Sequence, residues 1–182
     1  MVQSLAGVRP LRRVEYDRLV SAGAFEGERV ELLDGQVMRM PPHGPEHDGT
    51  IDVLLDILRP RIGERARIRV QQAFAATDDA EPEPDVALVP MGDYRDAHPS
   101  KAFLVVEIAV SSVAYDRDKA AIYARAGVPE YWLVDVVRGA VEVYLHPSAE
   151  GYDQRTTHRR PDVLRCAAFP DVEVPLDRLL RR

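Results

Sequence analysis

The sequence predicts an α/β fold, a mixed β-sheet flanked by helices of the restriction-endonuclease-like kind, and three observations carry the α/β part of that reading. Residues 86–89, 103–109 and 131–137 are short, nearly continuous apolar runs, as expected of strands covered on both faces. Between the last two lies a helical stretch over about 116–126, closed by Gly127 and Pro129. A strand, a crossover helix and a second strand make a parallel pair, so the core is sheet with helix packed on it.

The remaining elements follow in chain order. Val14, Leu19 and Val20 among charged positions predict a short helix over 14–22, ended by Gly23. Residues 29–33 and 36–40 flank Asp34-Gly35, a dipeptide suited to the positive φ of a tight turn, and read as a hairpin. From 45 to 61, Ile51, Leu54, Leu55 and Leu58 recur at intervals of three and four, the stripe of a helix lying across a sheet. Residues 65–72 alternate strictly, with Arg65, Arg67, Arg69 and Gln71 on one face, and read as a strand. Its arginine face either pairs with nearby acids in solvent or contacts a nucleic-acid backbone. Residues 140–145 add a strand after Arg138-Gly139, and the remainder reads as edge strands and a capping turn over 176–180. An apolar sheet edge at 141–145 would support a homodimer.

Composition bounds the function. With 182 residues, 46% apolar and 30% charged, the chain fits one domain over 1–182 that buries its own core. No apolar run approaches the roughly 20 residues of a membrane span, and no apolar stretch follows the arginines at 9, 12 and 13, so no membrane association and a cytoplasmic location are expected. The lone Cys166 has no disulfide partner and reads as a buried, reduced thiol. A net charge of −6 argues against a nucleic-acid coat, but charge is segregated: five arginines and one acid between 59 and 69, five acids and no base between 78 and 85.

The chemistry-bearing residues are acids placed on strands. Asp85 follows Pro84 at the entry to one apolar run, and Glu107 sits inside another. A buried, unpaired carboxylate costs several kcal/mol, roughly, so each needs a cation or a hydrogen-bond network. Two carboxylates converging from adjacent strand ends offer hard oxygen ligands for Mg²⁺ or Mn²⁺. Only Lys101 and Lys119 among the 24 basic residues are lysines. Lys119 shares a helix face with Asp116 and Tyr123, where its amine either reaches the strand end as a donor to water or phosphate, or makes a surface pair with Asp116.

At these residues the sequence resembles the Uma-two family of restriction endonucleases, within the PD-(D/E)XK nuclease superfamily. The motifs are EPEPDVALV over 81–89, FLVVEIAVSS over 103–112, AYDRDK over 114–119 and YARAGVPEYWLVD over 123–135. The likeness extends outward to VELLDG over 30–35, His47, Val70-Gln71, VEVY over 141–144, Gly151-Tyr152 and Phe169-Pro170, and so covers nearly the whole chain. It implies a metal-dependent DNA endonuclease, with Asp85 as the "PD" aspartate and Glu107 as the acid of "(D/E)XK". Two positions after Glu107 the archetypal lysine is replaced by Ala109, and the resemblance puts that role at Lys119. It also implies Glu31 as a further metal ligand and Gln71 as a polar residue near the cleft. The alternative is a non-catalytic DNA-binding or accessory protein that retains the scaffold.

Other candidates are weaker. His43 and His47 are four apart, but Gly44 and Pro45 bar one regular helix from presenting both, which argues against a zinc pair and leaves His47 packing or hydrogen-bonding near the helix start. Ser111 and Ser112 lack a nucleophile-elbow context and read as turn or N-cap residues. Tyr131 and Trp132 read as core or dimer-contact residues rather than a base-stacking platform.

Overall fold

The computed structural model describes residue 7 and residues 9–180. A six-stranded mixed sheet organises it, in the order β3 (Arg67–Val70), β4 (Val86–Val89), β5 (Leu104–Ala109), β6 (Glu130–Asp135), β7 (Ala140–Ser148), β8 (Gly151–Arg159). Every neighbouring pair is antiparallel except β5 and β6, which run parallel because α3 (Val113–Arg125) carries the chain between them. The expected strand, helix, strand unit is therefore present. The helix begins three residues before the expected 116, with Ser112 at its N-cap position.

Strand alternation sends side chains to two layers. On one face, α2 (Pro45–Ile62) lays Ile51, Leu54, Leu55 and Leu58 against Val86, Leu88, Val106 and Trp132. A separate hairpin of β9 (Val163–Cys166) and β10 (Phe169–Pro175), with the short α4 (Leu176–Leu179), completes that layer. On the other face, α3 packs Ala120 and Tyr123 on Val105, Tyr131 and Leu133. Tyr131 and Trp132 are fully buried core residues, and Cys166 is a buried free thiol whose pKa burial pushes up to about 12.

Two sequence expectations need correction. Residues 141–145 do not form a sheet edge: β7 is paired along its length with β6 on one side and β8 on the other, so the edge proposed for a homodimer is covered. The strand expected over 65–72 keeps only Arg67–Val70, because Gln71 takes a φ of 48° and turns the chain out of the ladder. The true edges of this sheet are β3 and β8. No helix among the described residues is long and apolar enough to cross a membrane.

The N-terminal part forms a flange beside the sheet. There α1 (Arg13–Ser21) packs Tyr16 on Val30 and Leu32 of the hairpin β1 (Val30–Leu33) and β2 (Gln36–Arg39). A bridge from Leu32 to Glu81 ties the flange to the segment entering β4, so Glu31 faces the sheet interior. The hairpin turn is the expected Asp34-Gly35, with both residues at positive φ, and a Cβ on Gly35 would stand 2.2 Å from Pro10 Cβ. Gly35→Ala is therefore expected to lower stability by about 1–3 kcal/mol in urea unfolding, combining left-handed strain with a clash against the incoming chain. Wild-type stability for that variant would show that the turn does not hold the flange in place.

Candidate active site

The β4–β5 ladder is regular from Leu88↔Leu104 to Val86↔Val106, and one residue beyond it the two strands are joined by side chains instead. The Asp85 backbone N–H donates to Glu107 Oε2 at 3.2 Å, and the Ile108 N–H donates to Asp85 Oδ2 at 2.8 Å. Each carboxylate thus takes over a backbone group released where the strands part. This satisfies buried N–H groups and pins the two acids side by side.

Helix α3 supplies the cation. Lys119 Nζ lies 3.0 Å from Glu107 Oε1 and 3.0 Å from Glu31 Oε1, bridging the sheet to the N-terminal hairpin. Residues 115, 119 and 123 stand on one face, four apart, and all three converge here. The Tyr123 hydroxyl donates to Glu107 Oε1 at 2.6 Å, and the Tyr115 hydroxyl to Glu31 Oε1 at 2.9 Å. The Glu83 N–H donates to Glu31 Oε2 at 3.1 Å. Asp116 does not make a surface pair with Lys119: it is buried beside the cluster and accepts a bond from the Ser112 hydroxyl.

Negative charge exceeds positive in this buried space. Glu31, Asp85, Glu107 and Asp116 surround one ammonium, Lys119. Burial drives the Glu107 carboxyl well above the usual carboxylate range; Lys119 opposes this, and Asp85, Asp116 and Glu31 add to it. Asp116 is raised as well, by burial first, against the pull of Lys119 and Ser112. For Lys119, burial alone would lower the pKa, but Glu107, Glu31 and Asp116 outweigh it and hold the amine protonated. A site that holds too little positive charge for its acids, lined by hard oxygen donors, fits a divalent cation.

A second group of donors meets Asp85 from the α2 side. His47 Nε2 lies 3.1 Å from Asp85 Oδ2, Gln71 Nε2 lies 3.4 Å from Asp85 Oδ1, and Gln71 Nε2 stands 2.8 Å from His43 Nδ1. Burial would raise the Asp85 pKa, but His47, the Ile108 N–H and Gln71 bring it below the usual value. His43, His47 and Asp85 each offer one ligand atom within 4.8 Å of the others. The expectation against a histidine pair is corrected on its geometry: α2 starts at Pro45 with Gly44 as its extended N-cap, so His43 lies outside the helix as expected, yet its ring stands 3.9 Å from that of His47.

The structure thus gathers Asp85, Glu107, Lys119 and Glu31 into one buried cluster, with Gln71 at its rim. In this arrangement the Glu31 oxygens are taken by Lys119, Tyr115 and a backbone N–H. Sequence reasoning noted Tyr123 only as a helix neighbour of Lys119 and did not pick out Tyr115. The repeat of four over 115, 119 and 123 was the available signal. Nothing in the spacing of His43 and His47 could have revealed their contact, which depends on how the extended chain at Gly44 enters α2.

Comparison with known proteins places these features in a wider set. The model of the Uma2 family, described as "Putative restriction endonuclease", matches residues 13–177. Among solved structures, one described as "a putative nuclease belonging to DUF820 from Anabaena variabilis ATCC 29413" superposes with a TM-score of 0.72 at 16% sequence identity. The match covers 93% of this chain and 97% of that one, so the two share a fold over nearly their full lengths. No curated protein is significantly similar to the chain.

Removing the ammonium should expose the charge imbalance directly. Lys119→Met is expected to cost about 3–5 kcal/mol of metal-free stability at neutral pH in urea unfolding, because it leaves buried carboxylates uncompensated. A loss below about 1 kcal/mol would match an exposed ion pair and contradict the burial described.

Proposed function

The chain belongs to the Uma2 family of restriction endonucleases, and from that premise we propose that it is a divalent-metal-dependent DNA endonuclease working through Asp85, Glu107 and Lys119. The observation that carries the reading is the surplus of buried carboxylates around a single lysine, at the point where two sheet strands part. Asp85 and Glu107 would hold Mg²⁺ or Mn²⁺, with Glu31 as a further ligand on the other side of Lys119. Once bound, such an ion polarises a phosphoryl oxygen and makes a coordinated water a stronger nucleophile near neutral pH.

The remaining work falls to the chain itself. Lys119 keeps Glu107 and Glu31 oriented through two short contacts, and its remaining N–H can donate a hydrogen bond that stabilises a non-bridging phosphate oxygen or orients the attacking water. A lysine arriving from the helix meets Glu107 as one two residues along the strand would, which accounts for Ala109 at the in-line position. Tyr123 fixes the Glu107 carboxylate from the side opposite Asp85. His47 and Gln71 fix Asp85 from beyond the strand end, and such outer partners set ligand orientation and basicity. The imidazoles of His43 and His47 favour an ion that tolerates nitrogen donors, so Mn²⁺ should serve at least as well as Mg²⁺.

Plasmid nicking tests the proposal. Wild-type protein with Mn²⁺ or Mg²⁺ is expected to nick DNA, and Asp85→Ala, Glu107→Ala and Lys119→Ala to lose at least about 100-fold in rate. Equal nicking by all four proteins would remove the assigned roles. Binding of DNA without any nicking, under either ion, would favour a non-catalytic member that keeps the scaffold.

A further inference from the structure

Strand β3 carries two arginines that make no ion pair with any described residue, although Asp93 feels the charge of Arg67. Arg67 and Arg69 alternate on this edge strand, and neither has an acidic partner within ion-pair distance among the described residues, although the chain holds 30 acids against 24 bases. Their nearest acid in the hollow, Asp93, is already clasped by Arg95. Arg69 is the sharper case. Its Nε is buried without a hydrogen-bond partner, and its guanidinium lies over the Tyr94 ring at 5.5 Å. An aromatic face beneath a guanidinium holds the plane flat while leaving its N–H edge to a ligand, and that edge matches two oxygens of one phosphate.

Position gives these arginines a use. In the β3–β4 register Arg67 stands opposite Val89, Arg69 opposite Ala87 and Val70 opposite Val86, so the strand runs toward Asp85. Gln71, the next residue, donates its backbone N–H to the Asp85 carbonyl at 3.1 Å and reaches the Asp85 side chain. Alternate residues on a strand are roughly 6.5–7 Å apart, which puts Arg69 one such step and Arg67 two steps from the residue at the metal-binding end. One surface hollow is lined by Arg69 together with Gln71 and Gln72, and the next by Arg69 together with Arg67, Tyr94 and Arg95. Arg69 lines both, so the two depressions adjoin at this residue, on the side of β3 that leads to Gln71. Two acids, Glu81 and Glu83, also line the first hollow, and each has cations at hand: Glu83 pairs with Arg29 at 3.4 Å, and Glu81 lies 3.9 Å from Arg13 and 3.8 Å from His98.

We infer that Arg67 and Arg69, with Tyr94 beneath the second, form a phosphate-binding track that holds the DNA backbone flanking the phosphodiester presented at Asp85. The inference rests on the nuclease reading for its choice of DNA, and it assigns these residues to positioning and binding, not to the reaction. Two guanidiniums that repel each other, one with an unsatisfied buried donor, gain partners and lose their repulsion when phosphates enter. No other segment of β3 offers comparable chemistry.

Salt-dependent DNA binding tests this without any cleavage. Fluorescence anisotropy of a labelled duplex in chelator, over a series of salt concentrations, reads the number of phosphates neutralised, since log K falls with log salt by about 0.9 per phosphate. Arg67→Ala combined with Arg69→Ala should flatten the slope by about 1.8 and weaken binding at least tenfold at about 0.1 M salt. Arg165→Ala combined with Arg178→Ala, an equal charge change in the β9 and α4 layer, should leave the slope as in wild type. Arg69→Lys keeps the charge and loses the fork, so it should weaken binding while preserving the slope. An unchanged slope in the first variant, an equal change in the control, or no measurable DNA binding by the wild type would overturn the inference. The two proposals fail separately: nicking with an unaltered slope rejects the arginine track alone, and a flattened slope in a protein that never nicks rejects the nuclease reading alone.

Discussion

The Lys119 ammonium, held between Glu107 and Glu31, is the contact on which the rest of this molecule's organisation depends. It joins the N-terminal hairpin to two consecutive elements far along the chain, the central strand β5 and helix α3. Without it, the carboxylates at the sheet opening would have to be protonated or exposed, and the hairpin would lose its charged tie to the sheet. The lysine does not cancel the charge around it, however. Glu107 remains hard to ionise because burial and three other acids act on it together. A fold that depended on this cluster for stability alone would do better with apolar residues of similar size, since buried ion pairs commonly break even at best. The retained imbalance makes sense as a place for a divalent ion.

The sheet topology determines where that place lies. Parallel pairing of β5 with β6 requires α3 as a crossover, and the crossover sets Tyr115, Lys119 and Tyr123 directly over Glu107. Antiparallel pairing of β4 with β5 ends just before Asp85, so the two acids substitute for ladder hydrogen bonds rather than interrupt them. The start of α2, capped by Gly44, then closes the outer side with two histidines, one before the helix and one in its first turn. Beyond them, edge strand β3 exposes arginines in line with Asp85, so a charged surface and a charged interior meet at Gln71.

Much of this was legible in the residues. Apolar runs located β4, β5 and β6, because buried strands tolerate little else, and that made Asp85 and Glu107 stand out as acids needing a reason. Scarcity picked out Lys119 in a chain whose cations are otherwise arginine. Resemblance added Glu31, whose role no local pattern suggests, since a single acid in a hairpin strand is ordinary. The contacts that escaped depend on tertiary geometry. His43 meets His47 across the start of α2, where one residue lies outside the helix and the other inside it, and residues 141–145 looked like an edge because the polar alternation of β8 conceals a strand that covers them. The end of β3 was misplaced because the left-handed turn at Gln71 occurs at a residue without any turn preference of its own.

Anomalous diffraction from crystals soaked in Mn²⁺ locates the ion directly. A peak is expected within about 2–2.5 Å of an Asp85 carboxylate oxygen, the range for oxygen ligands of hard divalent ions, with Glu107 or His47 on the same ion. Peaks confined to exposed acids such as Asp78 and Asp96, with the Asp85 and Glu107 contacts undisturbed at a saturating Mn²⁺ concentration, would contradict a metal site there.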